Sequence, residues 1–145
     1  MNNYKVLQMT NNVVGAVNTN AFMPYGVITR RIQNTCSTPT FTTSTAGIDT
    51  IYINEAGNYN ITYSASITAP AAGTVSVALI VNGIQVYSVG AAADAGSTVN
   101  LTLPYQIRVC PNGNTSTNIP ASVQIKLVGV AIASGVSNIL IEKIH

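Results

Sequence analysis

Few residues in this chain are suited to proton transfer or metal binding, and their placement argues against both. The single histidine is His145, the last residue of the 145-residue sequence, so a Ser–His–Asp relay would have to be built on a fraying position. The acids are Asp49, Glu55, Asp94 and Glu142. Asp49 and Glu55 flank the short run DTIYI and read as solvated strand ends. A carboxylate-pair sugar hydrolase would show more acids along a groove with aromatics for stacking, and the chain has no Trp. Asp49 or Asp94 with loop carbonyls is the nearest approach to a calcium site, but no EF-hand loop is present. Phosphate-binding loops, dinucleotide fingerprints and His-rich spacings are also missing. Cys36 and Cys110 are too few and too far apart for a zinc cluster, and two reduced thiols are favoured over a bridge. The expectation is a non-enzyme with no cofactor and no metal.

Composition sharpens this. Only 7% of residues are charged, six basic and four acidic, for a net charge of +2, against about a quarter in ordinary soluble domains. The basic residues form no cluster beyond Arg30-Arg31, so no nucleic-acid partner is expected. Apolar residues are interleaved with Thr, Ser and Asn and never approach the roughly 20-residue run of a membrane helix. No basic start with an apolar stretch marks a secretion signal. With so little charge, the surface must be covered by uncharged polar groups or by other subunits.

The elements follow from period-two alternation. Tyr59, Ile61, Tyr63, Ala65 and Ile67 lie on one side of a strand and Asn60, Thr62, Ser64, Ser66 and Thr68 on the other. After PAAG, Val75, Val77, Leu79 and Val81 form a second strand. Asn82-Gly83 then supplies the two positive-φ residues of a type I′ hairpin, placing Val81 opposite Ile84 and Leu79 opposite Val86. Further strands are read over 22–32, around Phe41, over 49–53, 99–109 and 123–132, and in SNILIEKIH. Pro104 should bend the strand over 99–109 or split it in two. No window has a helical period. The fold class is all-β, an antiparallel two-sheet jelly-roll sandwich. Residues 1–20 lack a sustained period and read as an N-terminal arm contributing little to a domain over 21–145. Ile80, Tyr87, Val128, Val130, Ile132 and Leu140 point away from the expected core and are assigned to a subunit interface.

The order AGNYNITYSAS, TVSVALIVNGIQV and SNILIEKI, over roughly residues 48–144, resembles the jelly-roll family of complement globular heads and tumour necrosis factor ligands. It is nearest to bacterial and phage versions such as the tips of spore-surface collagen-like proteins. The opening YKVLQMTNN…FMPYGVITRRIQNTC, with YINEAG, is similar to small virion proteins of tailed phages. No collagen-like Gly-x-y stalk precedes the domain, a departure from the spore-surface members. The resemblance implies a trimer, with the six second-face apolars around the threefold axis.

The function expected is a non-enzymatic virion protein, a homotrimeric capsid decoration or head fibre on the capsid exterior. Its arm, with Tyr4, Lys5, Val6 and Leu7, would attach to the major capsid protein or another virion protein. Alternatives are a receptor- or carbohydrate-binding tip that takes a host-surface glycan, with Tyr87, Asp94 and Asn112 as candidates, and a spore or cell-envelope protein.

Overall fold

A computed structural model of the chain describes residues 4–33, 39–111 and 119–144; Cys36, Asn112 and His145 lie outside the described residues. Among the described residues ten strands run in chain order: β1 Lys5–Asn11, β2 Val27–Ile32, β3 Phe41–Thr43, β4 Ile51–Ile53, β5 Gly57–Thr68, β6 Gly73–Val81, β7 Ile84–Ala93, β8 Thr98–Val109, β9 Ala121–Leu127 and β10 Ser134–Lys143. They form two five-stranded antiparallel sheets in the orders β2-β1-β10-β5-β8 and β3-β4-β9-β6-β7. The expected all-β sandwich is what the chain adopts.

The alternation read in the sequence sets the core. From β5, Tyr59, Ile61, Tyr63, Ala65 and Ile67 are buried, and they meet Val75, Val77, Leu79 and Val81 of β6 and Val123, Ile125 and Leu127 of β9. At the β6–β7 hairpin, Asn82 and Gly83 take positive φ values of 51° and 80°, as a type I′ turn demands. The Asn82 side chain also accepts the Ser122 amide at 2.7 Å, tying the turn to β9.

Two local expectations are corrected. Val81 does oppose Ile84, but a bulge makes Tyr87, not Val86, the partner of Leu79; the extra residue is absorbed one step beyond the turn. Pro104 does not split β8, which pairs with β5 without interruption from Thr98 to Val109. Because β8 is the last strand of its sheet, the missing N–H faces outward and no ladder bond is lost.

The larger correction concerns the N-terminus. Residues 5–11 are not an accessory arm: β1 lies between β2 and β10, paired residue for residue with β10 from Lys5↔Lys143 to Asn11↔Ser137. Val6, Leu7 and Met9 are at most 1% exposed. Residues 14–25 then cross to the second sheet. The Val14 amide bonds to the Gly135 carbonyl (2.9 Å), Asn20 to Leu127 (2.6 Å) and Met23 to Ile125 (2.7 Å), while the Tyr25 hydroxyl donates to the Val123 carbonyl at 2.9 Å. Gly26 is required where this segment returns to β2. Its φ is +85°, and a Cβ there would collide with the Thr10 carbonyl.

Candidate interaction surface

The side chains on the outer face of the β2-β1-β10-β5-β8 sheet are mostly hydroxyls and amides, and register decides which of them meet. Ser66 opposes Asn100 and Thr68 opposes Thr98; the Ser66 hydroxyl donates to Asn100 Oδ1 at 2.7 Å, and the two threonine hydroxyls are 2.9 Å apart. On the other side of β10, Gln8 Nε2 and Thr10 Oγ1 both donate to Asn138 Oδ1 at 3.0 Å. Between these two networks runs a groove of about 470 Å³, bordered by the polar Thr10, Asn12, Ser64, Ser66, Asn100 and Asn138 and by the apolar Ala65, Leu101 and Val136. Such a lining offers hydrogen bonds without charge. It carries no base beside its serines, and among the described residues no three His, Cys, Asp or Glu side chains group as metal ligands.

Beneath the face, the core contains three tyrosines whose burial raises their phenol pKa values. Tyr63 is pushed up to about 12, chiefly by desolvation. Tyr25 is raised well above its ordinary value by desolvation and then by Tyr63 and Asp49. Tyr59 is raised by desolvation and then by Glu55. Among the described residues, the buried hydroxyls of Tyr63 and Ser137 find no partner of good geometry. Ser137 is still near enough to lower the Tyr63 value slightly.

At the lateral edge where β7 and β8 approach, Tyr87 and Tyr105 stack with ring centroids 5.5 Å apart and planes 21° from parallel. Tyr87 is 42% exposed, and Ile84 on the same strand is 52% exposed.

The six side chains assigned to a subunit interface are not brought together. Ile132 sits in the core, bridged to Val17. Ile80 is buried on β6. Val128 and Val130 are half-buried, their amides bonded to the Ser76 and Thr74 carbonyls, so their segment continues along β6. Tyr87, on the lateral edge, is exposed, and Val128, Val130 and Leu140 are each half-buried, the last on the polar face. The attachment set changes in the same way. Val6 and Leu7 are fully buried and Lys5 nearly so, while the Tyr4 hydroxyl donates to Glu142 Oε2 at 3.1 Å. That hydrogen bond raises the Tyr4 pKa. Sequence reasoning missed the polar face as a surface, although the Asn60–Thr68 alternation contained its central stripe.

The architecture is that of the complement-head and tumour-necrosis-factor-like jelly roll. The globular domain of zebrafish complement 1qA protein superposes with a TM-score of 0.70 at 7% identity, covering 97% of this chain and 98% of that one. The Eiger tumour necrosis factor of S. frugiperda gives 0.74 at 10% identity, over 98% and 93%. The PRD1 vertex protein P5 gives 0.60 at 18% identity, over 97% of each chain. No protein-family model and no curated protein sequence matches the chain.

Proposed function

We propose that the protein is a non-catalytic structural module of a virion surface, acting as a homotrimer. The observation that carries this reading is the end-to-end likeness to the PRD1 vertex protein P5, the most similar in sequence of the three structures described above. The low charge agrees with it: the outer face of the β2-β1-β10-β5-β8 sheet is mostly hydroxyls and amides, which subunit contact can cover where they keep hydrogen-bond partners.

Two different surfaces suit a head-to-tail ring. One is the β7–β8 edge with Tyr87, Tyr105 and Ile84; the other is the polar face with Leu140 and Val136 near its centre. Heterologous contacts of this kind close when the rotation permits. Three copies, a capsid-decoration or head-fibre role on a tailed phage and a seat on a capsid protein are the specific form of the proposal. Light scattering on the purified protein should give three times the chain mass of 15.1 kDa, and antibody labelling should mark the particle exterior. Leu140→Asp should dissociate the ring, because a charge would be buried without a partner. A stable monomer at micromolar concentration rejects the trimer.

A second reading, a glycan-binding tip, is favoured by the uncharged groove bordered by Ser64, Asn100 and Asn138. Saturation-transfer NMR with a panel of neutral oligosaccharides tests it.

A further inference from the structure

A two-sheet sandwich has four lateral strand edges, and here they are not equivalent. β7 and β8 end their sheets on one side of the molecule and lie against each other, with the Tyr87 and Tyr105 rings stacked across the gap. β3 is only three residues long. β2 remains. It pairs with β1 alone, and all six of its residues are exposed. Among the described residues no strand lies along its outer side, which presents a row of backbone N–H and C=O groups.

Any extended chain could add to such an edge unless side chains select against it. The register sets Arg30 opposite Gln8 and Arg31 opposite Leu7, so the two guanidiniums leave opposite faces of β2. A second copy of β2 laid along the edge would set arginine beside arginine on both faces, which disfavours self-pairing. Among the described residues neither arginine is within ion-pair distance of a carboxylate; the one such pair is Lys143 with Glu55. Glu142, an anion that accepts the Tyr4 hydrogen bond, shares the face of Arg30 but stands two strands away, across β1 and on the side away from the rim.

We infer that β2 accepts an extended acidic segment of another protein as a sixth strand of its sheet. Backbone hydrogen bonds along the edge supply the affinity, and side chains of alternating direction supply the choice of partner. Two adjacent acidic residues in the incoming strand, one on each face, would sit across from Arg30 and Arg31. Val27, Ile28 and Ile32, which are 64%, 39% and 37% exposed, are left to meet aliphatic neighbours. Two arginines are too few for the run of phosphate contacts that sustains nucleic-acid binding. The inference goes beyond the virion-surface reading and requires neither a particle nor a trimer.

The probe is a fluorescein-labelled peptide, TVTEEVTV, followed by anisotropy at low salt beside its charge-inverted partner, TVTKKVTV. The wild type should bind the glutamate peptide about tenfold more tightly than the lysine peptide. An added strand uses one edge of the peptide, so N-methylation of alternate residues should abolish binding in one set and spare it in the other. Amide hydrogen exchange should slow across Val27–Ile32 in the complex. Arg30→Glu/Arg31→Glu should invert the preference to about tenfold for the lysine peptide, and Arg108→Glu on β8 should leave the wild-type preference in place. The wild-type measurements need no variant, so they decide the inference even where the double variant unfolds. Equal affinity for the two peptides, or none for either, overturns it. So do equal effects of the two methylation sets, unchanged exchange over β2, or tighter binding to duplex DNA than to TVTEEVTV at matched salt.

Discussion

Strands β1 and β2 are hydrogen-bonded neighbours with comparable apolar content, KVLQMTN and VITRRI, yet their burial is opposite. In β1, Val6, Leu7 and Met9 are completely shielded. In β2 all six residues are exposed, Val27 to 64%. The difference is positional. β1 lies between two strands and over the second sheet, whereas β2 pairs only with β1 at the rim of its sheet. Three aliphatic side chains fully removed from water stabilise by roughly 5–9 kcal/mol before entropy is subtracted, which is comparable with the net stability of a whole domain. An edge strand open on both faces contributes little and is usually guarded by charge; Arg30 and Arg31 supply it here. Apolar content alone therefore says nothing about which strand the fold depends on.

The comparison breaks most visibly by deletion. Removing residues 1–11 should abolish cooperative folding, because β10 loses its neighbour and the core loses Leu7 and Met9. A deletion variant that keeps a wild-type far-ultraviolet spectrum and melting transition would restore the picture of an accessory arm. Point changes sharpen it. Leu7→Ala should cost about 2–5 kcal/mol in urea unfolding, and Ile28→Ala on β2 should cost less than about 1 kcal/mol. Similar costs at the two positions would mean that β2 is covered in solution.

Alkali tests the buried side of the same contrast. In an unfolded chain tyrosine ionises near pH 10. Tyr63 is held up to about 12, and Tyr25 and Tyr59 are also raised by burial. A folded pKa above the unfolded one contributes stability that is fully present below pH 10 and is lost as pH rises through the folded value. The melting temperature should therefore fall steeply between about pH 10 and 12, and absorbance at 295 nm should show part of the seven tyrosines titrating only on unfolding. The smallest effect belongs to the turn. Gly83→Val replaces a residue with φ of +80° and should cost roughly 1 kcal/mol or more, read as a lower urea midpoint.

Much of the sandwich was legible because alternation is a local property. Tyr59 to Ile67 and Val75 to Val81 announce one dry face each, and Asn82-Gly83 announces the turn between strands. The candidate surface was less legible. Ile80 and Ile132 look like part of a second apolar face when their strands are read singly, but an outward direction on an isolated strand is not exposure. Ile132 is covered by the crossing segment at Val17, about 115 residues away in the chain, a contact no local pattern encodes.

By itself the sequence determined the all-β class, the β6–β7 turn, the dry face of the central strands and the scarcity of groups able to do acid–base chemistry. These depend on residue type and a period of two, which any stretch of chain states for itself. Only the tertiary structure decided that the first strand is core and the second is rim, and that hydroxyl and amide side chains from distant strands meet on one face. Those are matters of strand order and register, set when segments far apart in sequence pair and bury a common interior.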